Sequence, residues 1–153
     1  MPVAKSSPIA NNPLALESQV CFGLAVAARR VIALYRPLLE PMGLTHPQYL
    51  VMLALWQHEP LSVRRVSELV SLEPATMSSM LKRLEAIGYI TRQRDPDDDR
   101  ALTVTLTNTG RLLRRRALKI PLAVSERLGM DYNDLQLLHD ILSDVIRRTS
   151  EEG

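Results

Sequence analysis

Cys21 is the one cysteine of this 153-residue chain, and its thiol is the side chain best suited to covalent chemistry. A lone cysteine in a helix is often only a small buried hydrophobic residue. Cys21, however, lies early in a predicted helix, where the helix dipole favours a thiolate, and Arg29 and Arg30 follow two turns later. A thiolate there can attack a peroxide and become a sulfenic acid.

A single cysteine limits what oxidised Cys21 can become. No disulfide within the chain and no multi-cysteine metal site can form. A sulfenic acid would therefore condense with an external low-molecular-weight thiol or a backbone nitrogen, or oxidise further. The three histidines are scattered, and with one cysteine they make no convincing metal site. We expect neither a metal nor a cofactor.

A second set of polar side chains lies within residues 66–110 and indicates contact with DNA. A predicted helix over 74–87 exposes small, hydroxylated and basic residues, and two short β segments follow around the acidic turn at 95–100. This is the layout of a winged helix-turn-helix, whose helix fills a major groove while the hairpin reaches a minor groove. The candidate DNA contacts are Thr76, Ser78, Ser79, Lys82, Arg83, Arg94, Asp98 and Arg100.

The chemistry of these side chains suggests separate roles. Lys82 and Arg83 would end the recognition helix near a phosphate, and Thr76 and Ser78 can bond phosphates or base edges. Arg100 would sit at the wing tip, where arginine suits the negative potential of a narrow minor groove. Four aspartates share that turn and would repel phosphates. We therefore interpret Asp98 as orienting an arginine or closing the turn through hydrogen bonds to the backbone.

Four helices are predicted before the hairpin. Apolar residues at helical spacing predict a first helix over about 14–39, which Pro37 should kink or end near residues 35–36. Thr45 and Gln48 form a capping box for a second helix, about 47–58, which is apolar nearly all round and should lie in the core. The third predicted helix covers 63–70, with Ser62 as its cap and Val66 and Leu69 facing inward. The fourth is the recognition helix, which ends at Gly88. Its inward-facing residues are Met77, Met80, Leu81 and Leu84.

Alternating residues predict strands over 89–94 and 102–106, with Leu102, Val104 and Leu106 on one face. Thr107 should restart a helix that runs to about residue 128 and bends at Pro121. Asp131 caps a last helix whose apolar stripe comprises Leu135, Leu138, Leu142, Val145 and Ile146. The terminal helices carry more apolar surface than a small lobe can cover. A symmetric homodimer would bury it and present two recognition helices to a pseudo-palindromic operator.

Composition agrees with one mainly α domain that has a small β-wing. The chain is 46% hydrophobic and 24% charged, as in ordinary soluble proteins, and its net charge of +2 is too small to indicate DNA binding by itself. We assign residues 1–13 to a disordered arm and 14–153 to one domain, with the winged helix-turn-helix at about 47–110 and dimerisation helices at about 14–40 and 108–150. No apolar run predicts a membrane span or a signal peptide, so we expect a cytoplasmic protein.

The sequence resembles the MarR family of winged-helix transcriptional regulators. The shared motifs are Lys82-Arg83-Leu84-Glu85, Gly88, Asp95-Pro96-Asp97-Asp98-Asp99-Arg100, Val104-Thr105-Leu106-Thr107 and Gly110. The N-terminal half resembles, more narrowly, the OhrR-type organic hydroperoxide sensors. That resemblance rests on Cys21-Phe22, Tyr35-Arg36-Pro37-Leu38-Leu39, Gly43-Leu44-Thr45 and Pro47-Gln48-Tyr49-Leu50.

The resemblance implies a redox mechanism. In OhrR-type regulators the cysteine matching Cys21 is the peroxide-reactive thiolate, and the tyrosine matching Tyr35 hydrogen-bonds it across the dimer. Where the family commonly has a second sensing tyrosine, this chain has His46, whose hydrogen bond to a thiolate would depend on pH. The recognition helix also departs from the family, since it begins Glu73-Pro74-Ala75-Thr76. The expected protein is a repressor that releases operator DNA when an organic hydroperoxide oxidises Cys21.

Two other readings of the residues remain. One is a MarR-like regulator that binds a small aromatic or lipophilic ligand between the dimerisation helices and the winged lobe, with Cys21 only structural. The other is a thiol peroxidase that uses Cys21 catalytically. The lack of a resolving cysteine and the presence of the wing both disfavour the enzyme.

Overall fold

The N-terminal part of the chain forms one long helix, α1, at Val20–Leu39. The computed structural model describes residues 12–97 and 101–150. The predicted start near residue 14 is wrong, because a short 3-10 turn, Leu16–Ser18, takes up the preceding residues. Pro37 does not end α1 where expected either; the helix runs two residues past it. Proline removes one backbone donor there, but a second 3-10 turn, Glu40–Met42, continues the winding.

The second helix, α2 at His46–His58, is the centre of the core. The predicted capping box is confirmed: Thr45 Oγ1 accepts a hydrogen bond from the Gln48 amide at 3.4 Å, and Gln48 Oε1 accepts one from the Thr45 amide at 3.0 Å. Val51, Met52 and Leu55 are fully buried. A helix that is apolar nearly all round needs other elements packed against several of its sides, and the rest of the fold supplies them.

The helix-turn-helix consists of α3 at Val63–Val70 and α4 at Pro74–Ile87. Ser62 caps α3 by accepting a hydrogen bond from the Arg65 amide at 3.0 Å, as predicted. The predicted inward residues of α4 are all buried: Met77, Met80, Leu81 and Leu84. The inward assignment of Leu69 is wrong, since this side chain is 37% exposed. It lies at the rim of a groove between α2 and α3 that no further described element covers.

The wing is built from β2 at Ile90–Arg94 and β3 at Leu102–Leu106, with β1 at Leu61–Ser62 on the other side of β3. All pairs are antiparallel, with Arg92 opposite Val104. Val104 and Leu106 are buried as predicted, but Leu102 is 37% exposed. It pairs with Arg94 at the far end of the hairpin, beyond the two residues that β1 covers.

The C-terminal part forms three helices. The single bent helix predicted over 107–128 is instead two: α5 at Asn108–Ala117 and α6 at Ile120–Leu128. Pro121 lies in the first turn of α6, where its missing N–H is not needed. The last helix, α7, spans Tyr132–Ser150, and Asp131 caps it through the Asp134 amide at 2.9 Å, as predicted. Within residues 12–97 and 101–150, no helix is both long and apolar enough to cross a bilayer.

Gly110, in the first turn of α5, lies against the backbone of Tyr89. A Cβ at this position would lie 2.1 Å from the Tyr89 carbonyl oxygen. The Trp56 indole N–H also donates to the Gly110 carbonyl at 2.9 Å, so the start of α5 is tied to α2. Only glycine permits this approach of α5 to the residue that precedes β2.

We predict that Gly110→Ala lowers the free energy of unfolding by about 1–3 kcal/mol, because the methyl group forces α5 away from Tyr89. Urea unfolding followed by circular dichroism at one fixed protein concentration measures the change. Gly23→Ala is the matched control, since an added Cβ there meets nothing within 4 Å. Equal stability of Gly110→Ala and the control would contradict the close approach.

Candidate DNA-binding surface and redox site

The recognition helix α4 presents a polar face opposite its buried side. The side chains predicted to contact DNA from this helix are all exposed: Thr76, Ser78, Ser79, Lys82 and Arg83. Helical geometry places Ser79 and Lys82 nearest the centre of that face, whereas Thr76 and Ser78 lie on its two flanks. The surface that α4 offers to a groove is therefore hydroxylated and basic.

The described part of the wing ends in a turn that its own backbone closes. Arg94, the last residue of β2, is exposed. The Asp95 amide donates to the Ala101 carbonyl at 2.8 Å, and the Asp95 carboxylate accepts from the Asp97 amide at 2.9 Å. Asp95 thus forms the side-chain to backbone bond that was expected of Asp98. Asp98 and Arg100 lie outside the described residues.

Sequence reasoning missed Glu59, which links three elements at the base of the wing. Its carboxylate accepts hydrogen bonds from the Leu106 amide at 2.8 Å and from Arg111 Nε at 2.9 Å. Partial burial raises the pKa of Glu59, but the bonds and charge of Arg111 together with the Leu106 amide outweigh it, so the pKa lies below its ordinary value. No local signal could have revealed this residue, since both partners are far along the chain.

Cys21 is exposed in the first turn of α1. Gln19, which precedes the helix, does not cap it, because its side-chain amide donates instead to the carbonyls of Pro13 and Ala15. Arg29 and Arg30 are exposed two turns further on. The thiol is accessible from solvent in the single chain.

The two polar residues assigned to sensing with Cys21 lie together in space. The rings of Tyr35 and His46 are edge to face, with centroids 4.9 Å apart, and Tyr49 completes the cluster at 5.8 Å from Tyr35. Burial raises the pKa of Tyr35, and burial together with Tyr35 raises that of Tyr49. Both phenols therefore keep their O–H donors at neutral pH.

Cys21 is not part of this ring cluster. Tyr35 lies fourteen positions further along the same continuous helix, which is about 21 Å along the axis. A cleft of about 350 Å³ opens beside His46 and is lined by both polar and apolar side chains: Arg29, Ile32, Ala33, Arg36, Leu39, Glu40, Leu44, Thr45 and Pro47. One chain alone does not bring Cys21, Tyr35 and His46 together.

The sequence model of the MarR family matches residues 44–102. The organic hydroperoxide resistance transcriptional regulator of Bacillus subtilis is 41% identical over 124 residues, which cover 79% of this chain and 84% of that protein. The chain belongs to the MarR family. Another relative, the transcriptional regulator TtmR of Methylorubrum extorquens, is 38% identical over 135 residues, which cover 88% of this chain and 69% of TtmR.

Solved structures of AbfR of Staphylococcus epidermidis have the same fold as this MarR-family chain. The crystal structure of AbfR is 28% identical with a TM-score of 0.76, covering 94% of this chain and 99% of AbfR. Reduced AbfR bound to DNA gives a TM-score of 0.75. AbfR has also been solved overoxidised on DNA and in a disulfide form.

The predicted mainly α fold with a small β-wing is confirmed, and so is the family. Like the other members of its family, the chain is a DNA-binding transcriptional regulator and not an enzyme. The thiol peroxidase reading is therefore wrong.

His46 should titrate below the ordinary histidine range. Burial lowers its pKa from 6.5, and its place at the start of α2, near the positive end of the helix dipole, acts in the same direction. The folded chain then binds this proton more weakly than the unfolded chain, so the contribution of His46 to stability declines as pH falls below 6.5.

We predict that a pH titration of the His46 ring signals by NMR gives a value below 6.5. Tyr35→Ala should move it upward, because the imidazole loses its half-buried neighbour and becomes better hydrated. A value above 6.5 in the parent chain, or no change in the variant, would show that the cluster does not bury the imidazole.

Proposed function

We propose that this MarR-family regulator is a homodimeric repressor that releases operator DNA when an organic hydroperoxide oxidises Cys21. The observation that carries the proposal is the separation along α1 of an exposed thiol from the cluster of Tyr35 and His46. Because one rigid helix cannot fold back on itself, a hydrogen bond from that cluster to Cys21 requires a second copy of the chain.

The exposed apolar surface supports a homodimer. No residue of α7 is buried in the single chain, and one face of it exposes Leu138 by 41%, Ile141 by 53% and Val145 by 38%. The first turn of α1 adds Val20 and Phe22. Contiguous apolar patches of this kind mark protein contacts. In a two-fold dimer both sites form at once, with each Cys21 near Tyr35 and His46 of the partner subunit.

The proposed chemistry is a two-electron oxidation. The Cys21 thiolate attacks one peroxide oxygen, an S–O bond forms as the O–O bond breaks, and the leaving alkoxide takes a proton to become an alcohol. A low-molecular-weight thiol then displaces water from the sulfenic acid to give a mixed disulfide. Tyr35 and the neutral imidazole of His46 would donate hydrogen bonds to the thiolate before the reaction.

A thiol adduct is the form we expect to release DNA. The adduct adds a bulky polar group at a packed dimer seam, and this should rotate the two winged lobes and change the spacing of the recognition helices. Overoxidised AbfR has been solved on DNA, which favours the larger adduct over small sulfur oxyacids as the releasing state.

The DNA contacts follow from the exposed face of α4 and from the hairpin. Ser79 and Lys82 would enter the major groove, Thr76, Ser78 and Arg83 would reach its walls, and Arg94 and Arg100 would reach the minor groove, with Asp98 as an orienting residue. The winged lobe at about 47–110 and the dimerisation helices at about 14–40 and 108–150 keep their proposed roles. Such a regulator acts where the chromosome is, in the cytoplasm.

The redox proposal is tested with a DNA duplex selected by the reduced protein from a random-sequence pool. We expect cumene hydroperoxide plus a small thiol to abolish the gel shift, and dithiothreitol to restore it. Cys21→Ser should bind the duplex like the parent but remain bound under the same treatment, since it has no oxidisable sulfur at this position.

Release of Cys21→Ser by peroxide would overturn the mechanism. Intact-mass measurement of the released parent protein identifies the adduct: one thiol per chain supports a mixed disulfide, whereas added oxygen atoms alone would contradict the proposed releasing state.

A second candidate function is regulation by a small aromatic ligand, with Cys21 only structural. A cleft of about 440 Å³ between α2 and the α5–α6 break supports it, because Tyr49, Trp56 and Arg114 among its lining residues suit an aromatic anion. Release of both parent and Cys21→Ser by such a compound would favour this candidate.

The homodimer makes a separate prediction. Leu138→Glu should sediment as a monomer and lose most affinity for the selected duplex, because a carboxylate would be buried in the apolar seam. Ser143→Glu adds the same charge about 140° around α7 and serves as the control. A Leu138→Glu variant that stays dimeric would place the interface elsewhere.

A further inference from the structure

One carboxylate joins the recognition helix to the wing. Glu85, in the last turn of α4, accepts all its described hydrogen bonds from Arg92 in β2: from the backbone amide at 3.1 Å, from Nε at 3.5 Å and from Nη2 at 3.2 Å. The Arg92 side chain is 17% exposed and that of Glu85 40%. The guanidinium is thus directed at the helix and is largely covered.

The backbone bond compensates for the position of β2 at the edge of the sheet. Among the described strands the order is β1–β3–β2, so β2 has a neighbour on one side only. An edge strand leaves outward N–H groups without partners. The Glu85 carboxylate accepts a hydrogen bond from the outward-facing amide of Arg92. It thus supplies the acceptor that a further strand would otherwise provide.

Among the described hydrogen bonds between α4 and the hairpin, this contact lies furthest from the base of the hairpin. Nearer the base, the Gly88 and Tyr89 amides donate hydrogen bonds to the Leu84 carbonyl at 3.2 and 3.0 Å, and these bonds fix only the base of the hairpin. Beyond the Arg92 contact, Arg94 and Leu102 pair with each other and both are exposed. The direction of the outer hairpin relative to α4 therefore depends on the bond at Arg92.

We propose that Glu85 and Arg92 are positioning residues for DNA binding: they hold the wing at the angle that lets it reach a minor groove while α4 occupies the major groove. Arg92 acts through Glu85 and does not contact DNA. The hydrogen bond from Arg92 lowers the pKa of Glu85, which keeps the carboxylate charged at neutral pH.

The affinity of Arg92→Ala, Glu85→Ala and the double variant for the selected duplex tests the pairing. Each single change should weaken binding about tenfold, and the double variant should lose no more than either single one, because both remove the same contact. Glu85→Gln keeps an oxygen that can accept the Arg92 amide and should lose less than Glu85→Ala. Glu126→Gln, an exposed change on α6, is the control for carboxylate loss.

Two further measurements separate positioning from direct contact and from misfolding. The slope of log affinity against log salt should change equally in Arg92→Ala and Glu85→Ala, since both variants release the wing, although only the first removes a cation. Hydroxyl-radical protection of the flanking minor grooves should weaken, while methylation protection of guanine N7 in the major groove should persist.

A slope that falls by about one in Arg92→Ala but stays as in the parent in Glu85→Ala would show a phosphate contact of Arg92 and overturn the proposal. Additive losses in the double variant would overturn it as well. So would parallel weakening of the major- and minor-groove signals, in Arg92→Ala or in the milder Glu85→Gln.

Discussion

The junction where β3 runs into α5 holds the winged lobe to the dimerisation helices. Thr107 caps α5 through the Gly110 amide at 3.0 Å, its hydroxyl donates to the Gly88 carbonyl at 2.5 Å, and its own amide donates to the Tyr89 carbonyl. The same few residues therefore end α4, begin β2 and start α5. Because three hydrogen bonds tie Thr107 to Gly88, Tyr89 and Gly110, they hold the start of α5 and the base of the wing in one orientation.

Local signals predicted the helix-turn-helix well. The capping box of α2, the Ser62 cap of α3 and the spacing of the buried residues of α4 all act within one or two turns of a helix. The errors lie where tertiary neighbours decide. Leu69 and Leu102 have suitable spacing but stay exposed, because no element among the described residues covers them, and β1 is too short to show an alternating pattern.

For the candidate site too, the features set by local sequence were predictable and those set by contacts distant in sequence were not. The early helical position of Cys21 and the exposed face of α4 follow from residue types and spacing. The pairing of Tyr35 with His46 crosses from α1 to α2, so only the family resemblance pointed to it. The bonds of Glu59 and Arg111 and of Glu85 and Arg92 join residues that each look like ordinary surface charges in sequence, and nothing in the chain's periodicity distinguishes them.

Helix α1 has a mechanical consequence. It is a rod about 30 Å long, with Cys21 at one end. Its other end leads into the turn where the Met42 carbonyl accepts a 2.6 Å hydrogen bond from the Tyr89 hydroxyl, at the base of the wing. Pro37 removes one backbone hydrogen bond from the last turns of this rod. The more easily bent part of α1 therefore lies beside the ring cluster and the base of the wing. A displacement of the Cys21 end is transmitted along the regularly hydrogen-bonded part of the helix to this part, where the helix can bend.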